Sequence, residues 1–153
     1  MSKLSHYDAA GDARMVDTSS KAETLRTARA HAFVQMTAAV VEQLSANPKG
    51  NPLEVARIAG IMAAKKTSEL IPMCHPLALR HIDIVIEVEE DGVRILSSAS
   101  TLGPTGVEME AMTAAAVTAL TVYDMTKALD KSIEIQDLWL AEKSGGKSGE
   151  YKR

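Results

Sequence analysis

The stretch that decides the fold runs Ile82-Asp83-Ile84-Val85-Ile86-Glu87-Val88-Glu89-Glu90-Asp91-Gly92. Isoleucine and valine occupy every second position, and acidic residues stand at most of the positions between them. This alternation is typical of a strand with one buried face. Asp91-Gly92 is a strong turn signal, and Val93 to Leu102 reads as a second strand. The centre of the chain is therefore predicted to be a β-hairpin.

The segments on both sides of the hairpin predict the remaining elements. Glu23 to Met36 is ambiguous, because its alanines favour a helix while its alternation of period two favours a strand, and we interpret it as a strand. We predict two helices before the hairpin: one over Thr37 to Ser45 with Thr37 as its N-cap, and one over Pro52 to Ile71, ended by Pro72. After the hairpin we predict a long helix over Val107 to Leu129 and a last strand over Ser132 to Leu140.

This order of elements predicts an α+β fold, a ferredoxin-like antiparallel sheet with helices on one face plus an extra helix. The uncovered face of such a sheet is usually buried by pairing of subunits. We divide the chain into a flexible N-terminal arm (1–20), a single catalytic α+β domain (21–142) and a flexible Gly/Ser/Lys tail (143–153).

Composition excludes several classes of protein. The 153 residues are 46% hydrophobic and 3% aromatic with a formal net charge of -3, so neither the charge nor the rings needed to bind a nucleic acid are present. No apolar run is long enough to span a membrane, and we expect no secretory signal. The single cysteine, Cys74, fits a reducing cytoplasm. A large polar ligand is expected to bind between subunits, because so small a domain has little room for a deep pocket.

The first candidate site is Pro72-Met73-Cys74-His75-Pro76, in which two prolines hold the backbone out of helical geometry. Such a loop either presents His75 and Cys74 to a ligand or is a plain connector with a buried cysteine. A nucleophilic Cys74 would need a lowered pKa. The spacing of cysteines and histidines predicts no metal site.

The second candidate is the long helix. Thr105 to Glu108 matches a capping box, a purely structural explanation for Glu108. Asp124 and Lys127 lie three residues apart on one helix face, as either a surface ion pair or an acid/base pair. Glu110 and Asp124 share a face to within about 40° but are separated by roughly 21 Å along the axis. Both can serve one site only if two chains contribute to it, or if one extended ligand reaches both.

The third candidate is a scattered set of cations that would suit a phosphorylated small molecule or be ordinary surface charge: Arg26, Lys49, Lys65, Lys66, Lys127, Lys131, Lys143 and Lys147. Ser144-Gly145-Gly146-Lys147-Ser148 is not a Walker loop, because Ala141 stands where glycine is required and the chain ends without a following helix. A glycine-rich flap that carries lysines towards an anion stays open.

Several long motifs, in one order, resemble cyclic pyranopterin monophosphate synthases, the molybdenum cofactor biosynthesis protein C (MoaC) family. They are Met15-Val16-Asp17, Lys65-Lys66-Thr67-Ser68-Glu69-Leu70-Ile71-Pro72-Met73-Cys74-His75-Pro76-Leu77, Gly106-Val107-Glu108-Met109-Glu110-Ala111-Met112-Thr113-Ala114-Ala115, Tyr123-Asp124-Met125-Thr126-Lys127-Ala128 and Lys143-Ser144-Gly145-Gly146-Lys147-Ser148-Gly149. The resemblance covers nearly the whole chain.

The resemblance implies a lyase that converts 3′,8-cyclo-7,8-dihydroguanosine triphosphate to cyclic pyranopterin monophosphate and releases pyrophosphate. It implies a ferredoxin-like homohexamer, a trimer of dimers, with sites shared between subunits. Asp124 would be the catalytic residue, with Lys127 as its proton partner. The substrate contacts it implies are Met73, Cys74, His75, Met109, Glu110, Glu108, Arg26, Lys49, Lys65 and Lys143. No redox cofactor is implied, and whether Mg²⁺ accompanies the triphosphate stays open.

Two other functions compete with this hypothesis. A non-catalytic nucleotide-binding regulatory module would need the cations but neither Asp124 nor Lys127. A structural assembly subunit is disfavoured, because the segments 72–76 and 103–106 are more specialised than packing requires.

Overall fold

A computed structural model describes residues 4–48 and 50–153, which form five strands and four helices. In chain order they are β1 (Thr24–Gln35), α1 (Ala38–Leu44), α2 (Pro52–Lys65), α3 (Thr67–Leu70), β2 (Leu79–Glu89), β3 (Gly92–Gly103), α4 (Glu108–Thr126), β4 (Glu134–Ser144) and β5 (Tyr151–Lys152). No helix within the described ranges is long and apolar enough to cross a membrane.

The strands form one sheet in the order β2-β3-β1-β4-β5, and every neighbouring pair is antiparallel. The first four strands have the ferredoxin-like order, and the two-residue strand β5 extends it at one edge. Helix α4 packs on β1, β3 and β4, while α2 packs on β2 and α4. The predicted α+β fold is confirmed.

The ambiguous first segment is a strand. Ala28, Ala30, Ala32 and Val34 are buried, whereas the residues between them lie on the opposite face of the sheet. β1 pairs with β3 on one side and β4 on the other, so the alternation of period two prevailed over the helix propensity of alanine. The opposite face stays open and includes exposed apolar side chains such as Leu25, Val85 and Leu102.

The central hairpin forms as predicted, but its glycine has another role. Glu89 pairs with Gly92, so Glu90 and Asp91 form the turn and Gly92 is already the first residue of β3. A Cβ at Gly92 would collide with the backbone oxygen of Val34. Glycine is therefore required here by the close approach of β1.

Helices α2 and α4 approach each other closely because small residues line their contact. A Cβ on Gly60 would overlap the hydroxyl of Thr118 and the side chain of Ile84. The Thr118 hydroxyl donates a 2.7 Å hydrogen bond to the carbonyl oxygen of Ala114, which satisfies it inside the core. Alanine supplies most of the remaining buried surface of both helices.

The helix that we predicted up to Ile71 is interrupted at Lys66, where φ is -106° and ψ is 10°. Thr67, 1% exposed, donates its hydroxyl proton towards the carbonyl oxygens of Ala63 and Ala64, at 3.3 and 3.0 Å. These interactions satisfy carbonyls at the end of α2, so the chain restarts as the short helix α3.

The side-chain caps expected for two helices do not form. Thr37 occupies the N-cap position of α1 but makes no side-chain cap hydrogen bond. The capping box at Thr105 is wrong, because α4 begins one residue later than expected, with Val107 as its N-cap. The Glu108 carboxylate contacts Lys143 instead, so an ion pair to another element replaces the local cap.

The C-terminal segment is more structured than its composition indicates. β4 continues to Ser144, four residues beyond the predicted end, and residues 151–152 pair with it as β5. Trp139 stacks on His31 with ring centroids 4.5 Å apart, and the Arg153 guanidinium lies 4.5 Å from the Trp139 ring centroid. The division into arm, domain and tail stays a prediction, with Lys143 lying inside β4 and not in a separate tail.

Candidate functional site

A cleft of about 280 Å³ lies between the N-terminal end of α4 and the loop that follows α3. Its walls comprise the proline-bounded loop, the entry of α4 and part of the N-terminal arm. The lining residues are Ser5, His6, Val16, Thr18, Lys21, Met73, Cys74, His75, Leu77, Thr105, Gly106, Glu108, Met109 and Glu110. Both segments singled out in the sequence therefore meet in one place.

Six of the predicted substrate contacts line this cleft: Met73, Cys74, His75, Glu108, Met109 and Glu110. The loop that supplies the first three is held at its start by a 3.1 Å hydrogen bond from the Cys74 amide to the Ile71 carbonyl. Pro72 and Pro76 bound the loop, and each limits the backbone of its neighbour. The side chains of the cleft are therefore presented by constrained backbone.

Glu110 is the most unusual side chain of the cleft. It is 4% exposed, and burial raises its pKa from an ordinary 4.5 to about 7. A hydrogen bond with the backbone lowers the pKa of Glu110 in part, whereas the nearby charge of Glu108 raises it further. A carboxyl group with a pKa near neutrality both donates and accepts protons at physiological pH.

Cys74 does not have the electrostatics of a nucleophile. Burial raises the pKa of its thiol, and the charge of Glu110 raises it further. A thiol in such surroundings stays protonated, and the thiolate is the reactive form. The structure therefore favours Cys74 as part of the cleft wall.

Two of the predicted cations lie beside the cleft. Lys143 of β4 forms a 3.1 Å ion pair with Glu108, and its side chain is 17% exposed. Arg26 of β1 donates hydrogen bonds of 3.2 Å to the carbonyl oxygens of Gly103 and Pro104. A Cβ on Gly146, where φ is +80°, would overlap the Arg26 guanidinium, so the glycine-rich segment packs against this cation.

Lys65 lies outside the cleft, in a neighbouring groove of about 420 Å³ that shares Leu77 with it. It is the last residue of α2, and its side chain is exposed. Lys49, the fourth cation among the predicted substrate contacts, lies outside the described residues.

Asp124 and Lys127 lie at the other end of α4. Their side chains form a 2.6 Å ion pair and are 65% and 53% exposed. The hydrogen bond and the charge of Asp124 raise the pKa of Lys127, which keeps the ammonium protonated. Because fourteen residues of an uninterrupted helix separate Asp124 from Glu110, roughly 21 Å of helix rise lies between them. The structure does not bring this pair to the cleft within one chain.

The sequence analysis missed the contribution of the N-terminal arm. Ser5, His6, Val16 and Thr18 line the cleft, although we expected residues 1–20 to be a loose arm, and Lys21 directly after the arm lines it too. A 2.9 Å hydrogen bond from the Arg14 amide to the His6 carbonyl folds part of the arm back on itself. The short motif at residues 15–17 was the only sequence signal for this wall.

Comparison with known proteins places this chain in a family. The model of the MoaC family matches residues 15–146. A protein of Staphylococcus carnosus (strain TM300) named cyclic pyranopterin monophosphate synthase is 52% identical over 158 residues, which cover 100% of this chain and 98% of the relative. A protein of Staphylococcus haemolyticus (strain JCSC1435) with the same name is 51% identical over 160 residues, which cover both proteins completely.

Proposed function

This chain belongs to the MoaC family, and we propose that it is an enzyme of molybdenum cofactor biosynthesis that forms cyclic pyranopterin monophosphate. The substrate is 3′,8-cyclo-7,8-dihydroguanosine triphosphate, which loses pyrophosphate as a lyase reaction closes the cyclic phosphate. In this reaction the bond between the α-phosphorus and its bridging oxygen breaks, and a sugar-derived hydroxyl takes the vacated position on phosphorus. The purine skeleton is rearranged to a pterin.

The observation that carries the proposal is the Glu110 carboxyl in the cleft. Opening and closing the rings of a purine requires several proton transfers, for which a group with a pKa near neutrality is suited. Burial gives Glu110 a pKa of about 7, and His75 lines the same cleft. These two side chains supply acid and base groups within one enclosed space.

Loss of pyrophosphate requires positive charge near the triphosphate. We assign this role to Arg26, Lys49, Lys65 and Lys143, as the family resemblance implies. The position of Arg26 and Lys143 beside the cleft supports the assignment. Lys143 is paired with Glu108, so we expect it to exchange this carboxylate for a phosphate oxygen when substrate binds.

We further propose that Asp124 is the catalytic residue and Lys127 its proton partner. The 2.6 Å contact between them supports this role, because it holds the lysine and the carboxylate within the distance that direct proton transfer requires. Asp124 is exposed in the single chain, and Leu120, Met125 and Leu129 beside it are also exposed, at 56%, 40% and 48%. Such an apolar patch around a charged pair is typical of a surface that a partner covers.

We propose, as the family resemblance implies, a homohexamer, a trimer of dimers, in which one copy supplies the cleft and another supplies Asp124 and Lys127. The length of α4 between Glu110 and Asp124 supports sharing, since one compact ligand cannot reach both ends of the helix. The open face of the sheet gives a further surface for contact between copies.

Mixed assemblies test the sharing of sites. Glu110→Ala and Asp124→Ala subunits, each inactive alone, are unfolded together, refolded at equal ratio and assayed. If each site takes one residue from each of two chains, about a quarter of the sites regain both residues. No recovery at any ratio, with assembly confirmed by light scattering, would contradict a shared site.

We propose that no redox cofactor takes part and that any Mg²⁺ enters bound to the triphosphate. The enzyme is expected to work in the cytoplasm, where the substrate is made and Cys74 stays reduced. The check on the metal is turnover after dialysis against EDTA, with and without added Mg²⁺.

The direct test of function is turnover of the purified protein with the cyclised dihydroguanosine triphosphate. Cyclic pyranopterin monophosphate and pyrophosphate are expected in equal amounts, measured by chromatography and by a coupled pyrophosphate assay. Binding of intact substrate without either product would instead favour a nucleotide-binding regulatory module.

A further inference from the structure

Residues 6–14 of the N-terminal arm form a small hairpin, which we call the arm hairpin. Tyr7 and Ala13 form an antiparallel bridge, and the Arg14 amide donates a 2.9 Å hydrogen bond to the carbonyl oxygen of His6. Because the two sides of the arm hairpin are joined in this way, the backbone of His6 has a defined position at its base.

The Asp8 side chain closes the turn of the arm hairpin. One of its carboxylate oxygens, Oδ1, accepts hydrogen bonds from the amides of Ala10 and Asp12, at 2.9 and 3.0 Å. Gly11 lies in the same turn with a φ of +90°, a conformation that glycine adopts without strain. The shape of the turn therefore depends on the Asp8 carboxylate.

The arm hairpin and the residues beside it bury little apolar surface. Leu4, Tyr7 and Met15 are 76%, 54% and 42% exposed. Burial of apolar side chains is the main source of stability, so this segment adds little to the stability of the core. Its placement along the cleft is better explained by a role in the cleft, which Ser5 and His6 line.

His6 is available to a ligand that enters the cleft. The residue is exposed, and its imidazole makes no hydrogen bond or ion pair with any other residue in the described parts of the chain. A neutral imidazole carries one N–H donor and one acceptor nitrogen. His6 can therefore pair with a carbonyl group or with an N–H group of a ligand.

The side chains that share the cleft with His6 suit a polar ring better than a phosphate group. His75, Glu108 and Glu110 line the same cleft, and Lys21 is the one lysine or arginine among the described residues that line it. Imidazole and carboxyl groups pair with the N–H and C=O groups on the edge of a heterocycle. Ionised carboxylates, by contrast, repel a phosphate group.

We propose that His6 is a substrate-binding residue, whose imidazole hydrogen-bonds the polar edge of a fused, amide-bearing ring in the cleft. The identity of the ring rests on the proposed function, in which it is the guanine-derived part of the substrate. Asp8 does not line the cleft, so it acts through the arm hairpin as a positioning residue. The ring is then surrounded by the arm hairpin, the loop after α3 and the entry of α4.

His6→Phe tests this proposal, because phenylalanine keeps a planar ring and removes both ring nitrogens. The matched control is Tyr7→Phe, which removes a polar group from a neighbouring residue that is 54% exposed and does not line the cleft. GTP, which carries guanine and a triphosphate, is titrated calorimetrically into the full-length proteins, and inorganic triphosphate is titrated in parallel. We expect His6→Phe to weaken GTP binding by about three- to tenfold and to leave triphosphate binding unchanged, whereas Tyr7→Phe changes neither.

Three results would overturn the proposal: unchanged GTP affinity in His6→Phe, equal weakening in Tyr7→Phe, or equal weakening of triphosphate binding. In turnover of the cyclised substrate, His6→Phe should raise KM more than it lowers kcat, and a fall in kcat with an unchanged KM would contradict a binding role. Because the titration needs no turnover, weaker GTP binding by His6→Phe in a protein without synthase activity would reject the proposed function and leave the contact with His6 intact.

Variants of Asp8 test whether the arm hairpin positions His6. Asp8→Ala should weaken GTP binding, because the turn loses both hydrogen bonds to Oδ1, and adding it to His6→Phe should weaken binding no further. Asp8→Asn should keep GTP affinity within about twofold, because the amide oxygen still accepts these bonds. Equal GTP affinity in Asp8→Ala and the unmodified protein would show that the arm hairpin does not position His6.

Discussion

The two ends of helix α4 carry charged residues in opposite physical situations. At the N-terminal end, Glu110 is buried in a walled cleft and its pKa is raised to about 7. At the C-terminal end, Asp124 and Lys127 are exposed and paired with each other. Buried titratable groups in a cleft are the usual mark of a functional site, whereas exposed ion pairs contribute little to stability.

This difference teaches that a single chain displays only half of the proposed site. In one copy the Glu110 end lies in a cleft, whereas the Asp124 end shows only an exposed ion pair and exposed apolar side chains around it. If the Asp124 end is the catalytic half, its environment must be completed by a neighbouring copy. The predictions below test whether the two ends differ in this way.

The largest effect is expected at the exposed end. Asp124→Asn should lower turnover about 10²- to 10⁴-fold, the range for loss of a proton-transfer group. Its melting temperature should change little, because asparagine has the same size and shape and the side chain is 65% exposed within its own chain. Steady-state kinetics and calorimetry measure both quantities, and substrate affinity should be retained.

The matched control is Asp130→Asn, a nearby exposed carboxylate that accepts hydrogen bonds from the Ser132 amide and hydroxyl at 2.8 and 2.7 Å. Asparagine keeps an oxygen that accepts these bonds, so turnover should be unaffected. Equal activity of Asp124→Asn and Asp130→Asn would remove Asp124 from the mechanism and end the comparison.

An intermediate effect is expected at the buried end, as a pH dependence of stability. The pKa of Glu110 is about 7 in the folded protein and near 4.5 when exposed, so the folded state binds more protons between these values. Stability therefore falls as pH rises through this interval. Relative to Glu110→Gln, the unmodified protein should lose on the order of 2–3 kcal/mol between pH 4.5 and 7.

Urea denaturation of both proteins at several pH values measures this difference in the free energy of unfolding. Glu134→Gln, at an exposed position of β4, serves as the control for the loss of one carboxylate. If the difference in the free energy of unfolding between Glu110→Gln and the unmodified protein does not change with pH, burial does not raise the pKa of this carboxyl.

The smallest effect separates the two lysines. Lys143→Gln should lower the melting temperature by about 2–4 °C, because this lysine is only 17% exposed and forms an ion pair with Glu108. Lys127→Gln should lower the melting temperature by less, because its ion pair is about half exposed within its own chain. Equal shifts in the two variants, measured by thermal denaturation, would show that the two ends do not differ in the strength of their ion pairs.

Most of the fold could be predicted from local patterns. The alternation of residues 82–89 and 24–35 located the strands, and Pro52 and Pro72 located helix boundaries. Errors occurred where a distant residue decided the outcome. Lys143 replaced the expected cap at Glu108, and Gly92 was needed for contact with β1 and not for the turn.

The candidate site was predictable only in part. Motif resemblance identified several residues of the cleft, but no local pattern indicated that His6 and Thr18 of the N-terminal arm form part of its wall. Neither could the sequence show the raised pKa of Glu110, which depends on burial by elements far apart in the chain.

The tight contact between α2 and α4 also limits how the length of this chain can change. An added residue near Ala115 would rotate the rest of α4 by about 100°, moving Thr118 away from Gly60 and turning Asp124 to another side. The atoms that a Cβ on Gly60 would meet belong to Thr118, Ile84 and Ala114 and not to the described residues between α1 and α2. Insertions and deletions are therefore expected in the connection around residue 47 and not within α4.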